Sequence, residues 1–186
     1  MAQPGDVILG VDPSLRGTGY GVIEILHKGK ARALAHGVIA NPRELSLGAC
    51  LVAIHDTLSD IIATHAPSCA AIEQTIYVQS RLVAITLGCA RGAAILAIAR
   101  HGIPLTEYAP KAVKAAVTGR GTAGKTQVAV MVRALTGLDT TPAPDAADAL
   151  AVAIAHAGAR APHGIPRRAP RRPITSPDAP RLGHPD

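Results

Sequence analysis

Four carboxylates have the type and placing for metal-assisted phosphoryl chemistry: Asp12, Glu73, Asp145 and Asp148. Asp12 closes the continuous apolar run over residues 7–11, and Glu73 closes a second short run over 70–72. Both runs read as buried strands, and ligand sites in open α/β sheets gather at the carboxyl ends of strands. Asp145 and Asp148, in PDAADAL, are three apart and share one face at a helix start. The alanines between them let that face pack close to a sheet. Carboxylates crowded beside apolar structure repel one another, and each is costly to bury alone. A hard divalent cation resolves both problems, and an all-oxygen donor set suits magnesium, with manganese as a substitute. Two such ions can clamp the attacking and leaving oxygens of an in-line displacement. Taken singly, each acid has an ordinary reading. Asp12 before Pro13 is also strand-end turn chemistry, and Asp145 is also a helix cap with Asp148 as a favourable first-turn charge. Glu73 is harder to dismiss, because a lone acid ending a buried strand needs a partner.

A one-signed basic stretch accompanies the acids. Residues 108–138 contain no acid but hold Lys111, Lys114, Arg120, Lys125 and Arg133. A solvated helix face normally mixes signs, so this run suits phosphate contacts. Within it GRGTAGKT (119–126) satisfies the Walker A pattern. That motif requires a buried strand directly before it, whereas residues 111–117 have Ala-rich, helix-like spacing and two lysines. No apolar strand ending in Asp follows. The glycines therefore predict a flexible loop whose amides, with Lys125, meet a nucleic-acid backbone.

The elements that must carry these residues follow from periodicity and turn residues. Residues 20–26 form a second strand, joined to the first by turn chemistry at residues 16–19, and 31–40 a third, antiparallel one. Pro42 opens a helix through His65, with Leu47, Leu51, Ile54, Leu58, Ile61 and Ile62 on its apolar face. A long apolar helix spans 80–101 and stops at Gly102. Residues 103–107 are the fifth strand, and Pro110 starts a short helix. Helical patterns cover 125–135 and 145–156. Three antiparallel strands followed by strand–helix alternation predict an α/β fold, a mixed five-stranded sheet flanked by helices.

Bulk properties bound the rest. The chain of 186 residues, 48% hydrophobic, is long enough for one well-packed domain. That domain is assigned to residues 1–157. Seven of the 15 prolines and six of the 19 Lys/Arg fall in 158–186, predicting a disordered basic tail. A net charge of +6 suits an anionic partner; a cationic tail that aids solubility is the plain alternative. Cys50, Cys69 and Cys89 match no zinc or disulfide pattern and read as buried thiols in a reducing cytosol. The N-terminus shows no signal-peptide pattern, and no apolar run reaches the ~18 residues of a membrane span. A cytoplasmic protein without membrane contact is expected.

At this point four ordered motifs identify a resemblance. VILGVDPSLRGTGYGV (7–22), AIEQ (71–74), LGCARG (87–92) and DAADALA (145–151) resemble those of the RuvC Holliday-junction resolvases, and residues 108–132 match in order and spacing. The resemblance covers about residues 6–157. It implies an RNase H-like fold, a homodimer, and paired symmetric incisions across a four-way DNA junction, with a metal-activated water leaving 5′-phosphate and 3′-hydroxyl ends. It assigns Asp12, Glu73, Asp145 and Asp148 as the metal-binding catalytic acids, and Lys114 and Lys125 as basic residues near the scissile strands; Arg120, from the basic stretch, is a further DNA-contact candidate. It also implies contact with a branch-migration motor complex. The family commonly has an aromatic, often Phe, three residues after the strand-end glutamate. Here that position is Ile76, with Tyr77 next, so either Ile76 is an apolar wedge or Tyr77 stacks on a base, with plain helix-start packing the ordinary reading of Tyr77.

Two other classes compete. Sugar-kinase and actin-like phosphotransferases also begin with a strand-end Asp and a Gly/Thr hairpin, but they need a second, similar domain. A non-catalytic DNA-binding module of the same fold would have no use for four acids.

Overall fold

The computed structural model describes residues 3–74 and 80–159. Its five strands are β1 (Val7–Asp12), β2 (Gly17–Ile25), β3 (Ala31–Ala40), β4 (Cys69–Glu73) and β5 (Leu105–Tyr108). They form one sheet in the order β3-β2-β1-β4-β5. The first three are antiparallel neighbours, and β1, β4 and β5 run parallel. The mixed five-stranded sheet expected from the sequence is therefore present. Its helices are α1 (Leu47–His65), α2 (Arg81–Arg100), α3 (Pro110–Thr118), α4 (Lys125–Thr136) and α5 (Pro144–Ala159).

Alternation along the strands sorts the core into two layers. Leu9, Val11, Val22, Ala70 and Ile72 face α1 and α2, packing on Ile54, Leu58, Ala90, Ala94 and Ile98. Ile8, Ile23, Cys69 and Ala71 face the other way, onto Val113 of α3, Val128 and Val132 of α4, and Leu150 and Ala153 of α5. By the same period of two, Asp12 and Glu73 belong to the α5 side.

Several sequence expectations shift. Residues 17–19, expected as a turn, are the first residues of β2, and Gly19 pairs with Asp12. Pro42 does not open a helix; α1 begins at Leu47, with Ser46 accepting a hydrogen bond from the Ala49 amide at 3.3 Å. The intervening loop is held by Arg16, whose Nη1 donates to the carbonyls of Pro42 (2.5 Å) and Leu45 (3.3 Å). Those carbonyls serve the guanidinium instead of a helical ladder. Cys50 and Cys69 are buried as expected, but Cys89 is only half-buried, on the outer side of α2. Gly102 does follow α2, in a left-handed conformation (φ 67°) suited to residues without a Cβ. The α5 helix continues to Ala159, two residues past the expected domain boundary, and the tail from residue 160 lies outside the described residues.

No unbroken apolar run reaches membrane-span length, yet two helices are long and apolar enough to match one by length and average composition. Helices α1 and α2 have 18-residue windows of mean hydropathy 1.3 and 2.0, because a window that tolerates one or two charges is satisfied where an unbroken run is not. Both helices pack one face on the sheet. Their outer faces expose Val52 (59%), Leu82 (71%), Val83 (52%), Ile85 (62%) and Leu96 (53%).

Candidate active site

The acids meet because of strand direction. In the parallel β1–β4 pair Val11 is opposite Ile72, so Asp12 and Glu73 leave the sheet side by side at its carboxyl edge. Helix α5 crosses the same face with its first turn at that edge, bringing Asp145 and Asp148. Asp145 is the second residue of α5 and not its cap, and a negative charge there is favoured by the helix dipole.

Such close approach depends on four glycines. A Cβ on Gly10 would fall on the Ala149 carbonyl, one on Gly19 on the Asp145 carbonyl, and one on Gly21 against the Leu150 side chain. A Cβ on Gly17 would stand 3.0 Å from Asp145 Oδ2. Gly17, Gly19 and Gly21 alternate along β2 and so present one bare face to the helix. Turn chemistry in the sequence accounts for two of them and misses this role. Their odd-numbered spacing is the signal that could have found it, since a glycine at every second strand position marks close backbone approach.

A cavity of about 320 Å³ opens where the elements converge, lined by Asp12, Glu73, Asp148, Lys114 and Lys125 with Pro110, Val113, Val128 and Ala151. Asp145 does not line it but stands near enough to act electrostatically on Asp12. Burial, then the charges of Glu73, Asp148 and Asp145, push the Asp12 carboxyl up to about 7, with Lys125 opposing. Burial and Asp148 also raise Glu73, against Lys114 and Lys125. Lys125 Nζ lies 3.3 Å from Asp148 Oδ2, which raises the lysine in turn. With Lys125 three-quarters exposed, this pair contributes little to stability.

The acids converge without closing into a cage. Among the described residues no three His, Cys, Asp or Glu side chains are gathered tightly enough to hold a metal as they stand. Unscreened carboxylates repel one another, and the two ammonium groups at the cavity are divided between them, Lys125 on Asp148 and Lys114 acting on Glu73. The donors are all carboxylate oxygens, and three further carboxylates act on the largely buried Asp12. Both features fit a divalent cation.

The other expected site residues divide. Arg120 is exposed on the loop before α4, outside the cavity lining, and Lys111 and Arg133 are exposed as well. Ile76 and Tyr77 lie outside the described residues. The Walker-like segment is preceded by α3 and a turn, not by a strand, so its lysine meets Asp148 and not a strand-borne phosphate loop.

Comparison with known proteins adds the family. The model for crossover junction endodeoxyribonuclease RuvC matches residues 8–156. The chain belongs to the RuvC family. A RuvC from Akkermansia muciniphila is 49% identical over 149 residues, covering 80% of this chain and 89% of its own. One from Halorhodospira halophila is 46% identical over 151 residues, 81% and 89% of the two chains. Among solved structures, Thermus thermophilus RuvC in complex with a Holliday junction substrate superposes with a TM-score of 0.77 at 33% identity, covering 82% of this chain and 93% of that one. RuvC membership accords with the sheet order and with the junction-cutting resemblance of the four motifs.

Proposed function

We propose that this chain is a structure-selective endonuclease that resolves four-way DNA junctions by paired, symmetric, metal-dependent incisions during recombination and repair. The observation that carries the reading is the convergence of Asp12, Glu73 and Asp148 with Lys114 and Lys125 in one cavity at the carboxyl edge of the sheet. RuvC membership and the junction-bound T. thermophilus relative support the substrate. The nuclease unit, expected to end at residue 157, extends through the end of α5 at Ala159, and the Pro/Arg-rich basic segment follows it.

In this reading Asp12, Glu73, Asp145 and Asp148 hold Mg²⁺, with Mn²⁺ able to substitute. A bound divalent cation supplies the positive charge that an in-line phosphodiester displacement needs at its attacking and leaving oxygens. Asp12 must shed its proton to act as a ligand, and its position near neutrality makes that inexpensive at pH 8. Lys125 leaves Asp148 for the phosphodiester, while Lys114 meets the same backbone from α3. Products carry 5′-phosphate and 3′-hydroxyl ends. Arg120 serves the flanking backbone, and Ile76 or Tyr77 the bases at the crossover.

A second copy of the chain completes the assembly, because a two-fold junction needs one active site per strand cut. Its support is the groove of about 510 Å³ between α1 and α2, lined by Leu51, Val52, Cys89, Ala93 and Leu96, on the side away from the acids. Contiguous exposed apolar surface of this kind marks an interaction face. A branch-migration motor is a further partner, and the cytoplasm is where the DNA substrate places the enzyme.

The direct test is incision of a synthetic four-way junction against linear duplex, with and without Mg²⁺. Paired nicks in the junction alone, dependent on the cation, are expected; cation-independent cutting or equal cutting of duplex would overturn the reading. Neutralising Lys114 and Lys125 to alanine should weaken junction binding and lower the slope of log affinity against log salt by about one for each phosphate that a lysine neutralises. An unchanged slope would remove both residues from the DNA interface.

A further inference from the structure

Arg91 lies on α2, across the sheet from the cavity, yet it touches the end of an acid-bearing strand. Its Nη1 donates to the backbone carbonyl of Glu73 at 2.7 Å, and its Nη2 pairs with Glu107 Oε1 at 2.7 Å. The side chain is 15% exposed. Glu107 is on β5, opposite Ile72, and the next pair along is Glu73 with Tyr108. One planar fork therefore clasps the last residue of β4 and the strand beside it, a geometry a lysine cannot reproduce.

Chain direction explains the need. Glu73 is the final residue of β4, and a backbone carbonyl at a strand end must find a donor or water. The Gln74 amide still reaches the Tyr108 carbonyl at 2.8 Å, so β5 holds one side of this exit. Arg91 holds the other. The guanidinium charge is matched by Glu107, and the cations that act on the Glu73 carboxylate are Lys114 and Lys125.

We propose that Arg91 is a positioning residue for the metal site: by holding the Glu73 carbonyl it fixes the end of β4 and hence the Glu73 carboxylate relative to Asp12 and Asp148. The inference rests on Glu73 being a cation-holding acid, as proposed above. It also makes the seating of α2, whose outer face lines the apolar groove, a determinant of active-site geometry.

Charge and position predict opposite signs. If Arg91 acted through its charge, removing it would tighten cation binding to the acidic cluster. If it positions Glu73, removing it loosens binding, as losing a partner that orients a ligand typically costs 10–100-fold. Two readouts are taken on Arg91→Ala, Arg91→Lys and Glu107→Gln: calorimetric Mn²⁺ affinity of the metal-stripped protein, and single-turnover junction incision with enzyme in excess. Arg91→Ala should lower Mn²⁺ affinity and the incision rate about 10–100-fold, with the junction Kd within about threefold of wild type. Arg91→Lys should recover part of both, and Glu107→Gln, which keeps an acceptor for the fork, most of both. Unchanged or tighter Mn²⁺ binding in Arg91→Ala overturns the proposal, whatever the incision rate. If Arg91→Ala does not fold, Mn²⁺ binding by Arg91→Lys indistinguishable from wild type overturns it equally. Wild-type protein that binds Mn²⁺ but leaves junctions intact would instead undo the functional reading.

Discussion

Replacing Asp12 by asparagine is expected to abolish junction incision and, at the same time, to stabilise the cation-free protein at pH 8. Loss of one charged ligand at a phosphoryl-transfer site forfeits several kcal/mol of transition-state stabilisation, so a fall of at least about 1,000-fold is expected in single-turnover assays. The stability gain has the opposite origin. Burial and three neighbouring carboxylates raise Asp12 from 3.8 to about 7, so ionising it in the folded state costs up to about 4 kcal/mol at 1.36 kcal/mol per unit. Asparagine removes the charge but keeps a polar group in the same place, which leaves a gain of about 1–3 kcal/mol, or several degrees in Tm. For a group whose folded pKa is raised, the stabilising contribution is fully present below the unfolded value. It is lost as pH climbs through the folded value. Wild type should therefore lose stability between about pH 4 and 7, and the advantage of Asp12→Asn should vanish at pH 4. Thermal melts in chelator across that range read the effect directly. An Asp12→Asn protein that melts below wild type at pH 8, or still cuts within tenfold of its rate, would contradict the site.

Gly19→Ala should be nearly as damaging, although it removes nothing. The new methyl would occupy the place of the Asp145 carbonyl oxygen, and both partners are backbone, so either β2 or the first turn of α5 must move. Overpacking of this kind costs about 3 kcal/mol or more, roughly a 10 °C fall in Tm for a domain of this size. Displacing Asp145 and Asp148 by about 1 Å should lower incision about 100-fold in the molecules that remain folded. Gly48→Ala is the control, since its Cβ meets nothing within 4 Å in the first turn of α1. It should leave incision unchanged and stability equal or slightly higher. Equal behaviour of the two variants would show that α5 does not need the glycine face.

The contrast between these residues marks the boundary of what can be read from a chain alone. Asp12 and Glu73 were legible because each ends an apolar run, and strand ends are a one-dimensional feature. The pairing of Asp145 with Asp148 was legible because three residues on a helix fix a shared face. The five strands and their mixed directions followed from hydrophobic period and connection length, and the helix before the glycine loop was visible in the spacing of its alanines and lysines. Boundaries were less legible: Pro42 looked like a helix start because nothing local reveals that Arg16 claims the carbonyls of Pro42 and Leu45.

What the sequence by itself determined was the set of chemical groups and the strands and helices that carry them. The same glycines that resembled a turn became, in three dimensions, the floor on which α5 rests, because only the packed sheet shows which face of β2 a helix must approach. Tertiary structure alone decided that Lys125 meets Asp148, that Arg91 clasps Glu73 from across the sheet, and that Arg120 stands apart from the cavity. The contacts of Arg91 and Lys125 join residues at least 16 positions apart in the chain. Local propensity carries no information at that range; only the register of β1 against β4 and the seat of α5 can bring such groups within hydrogen-bonding distance.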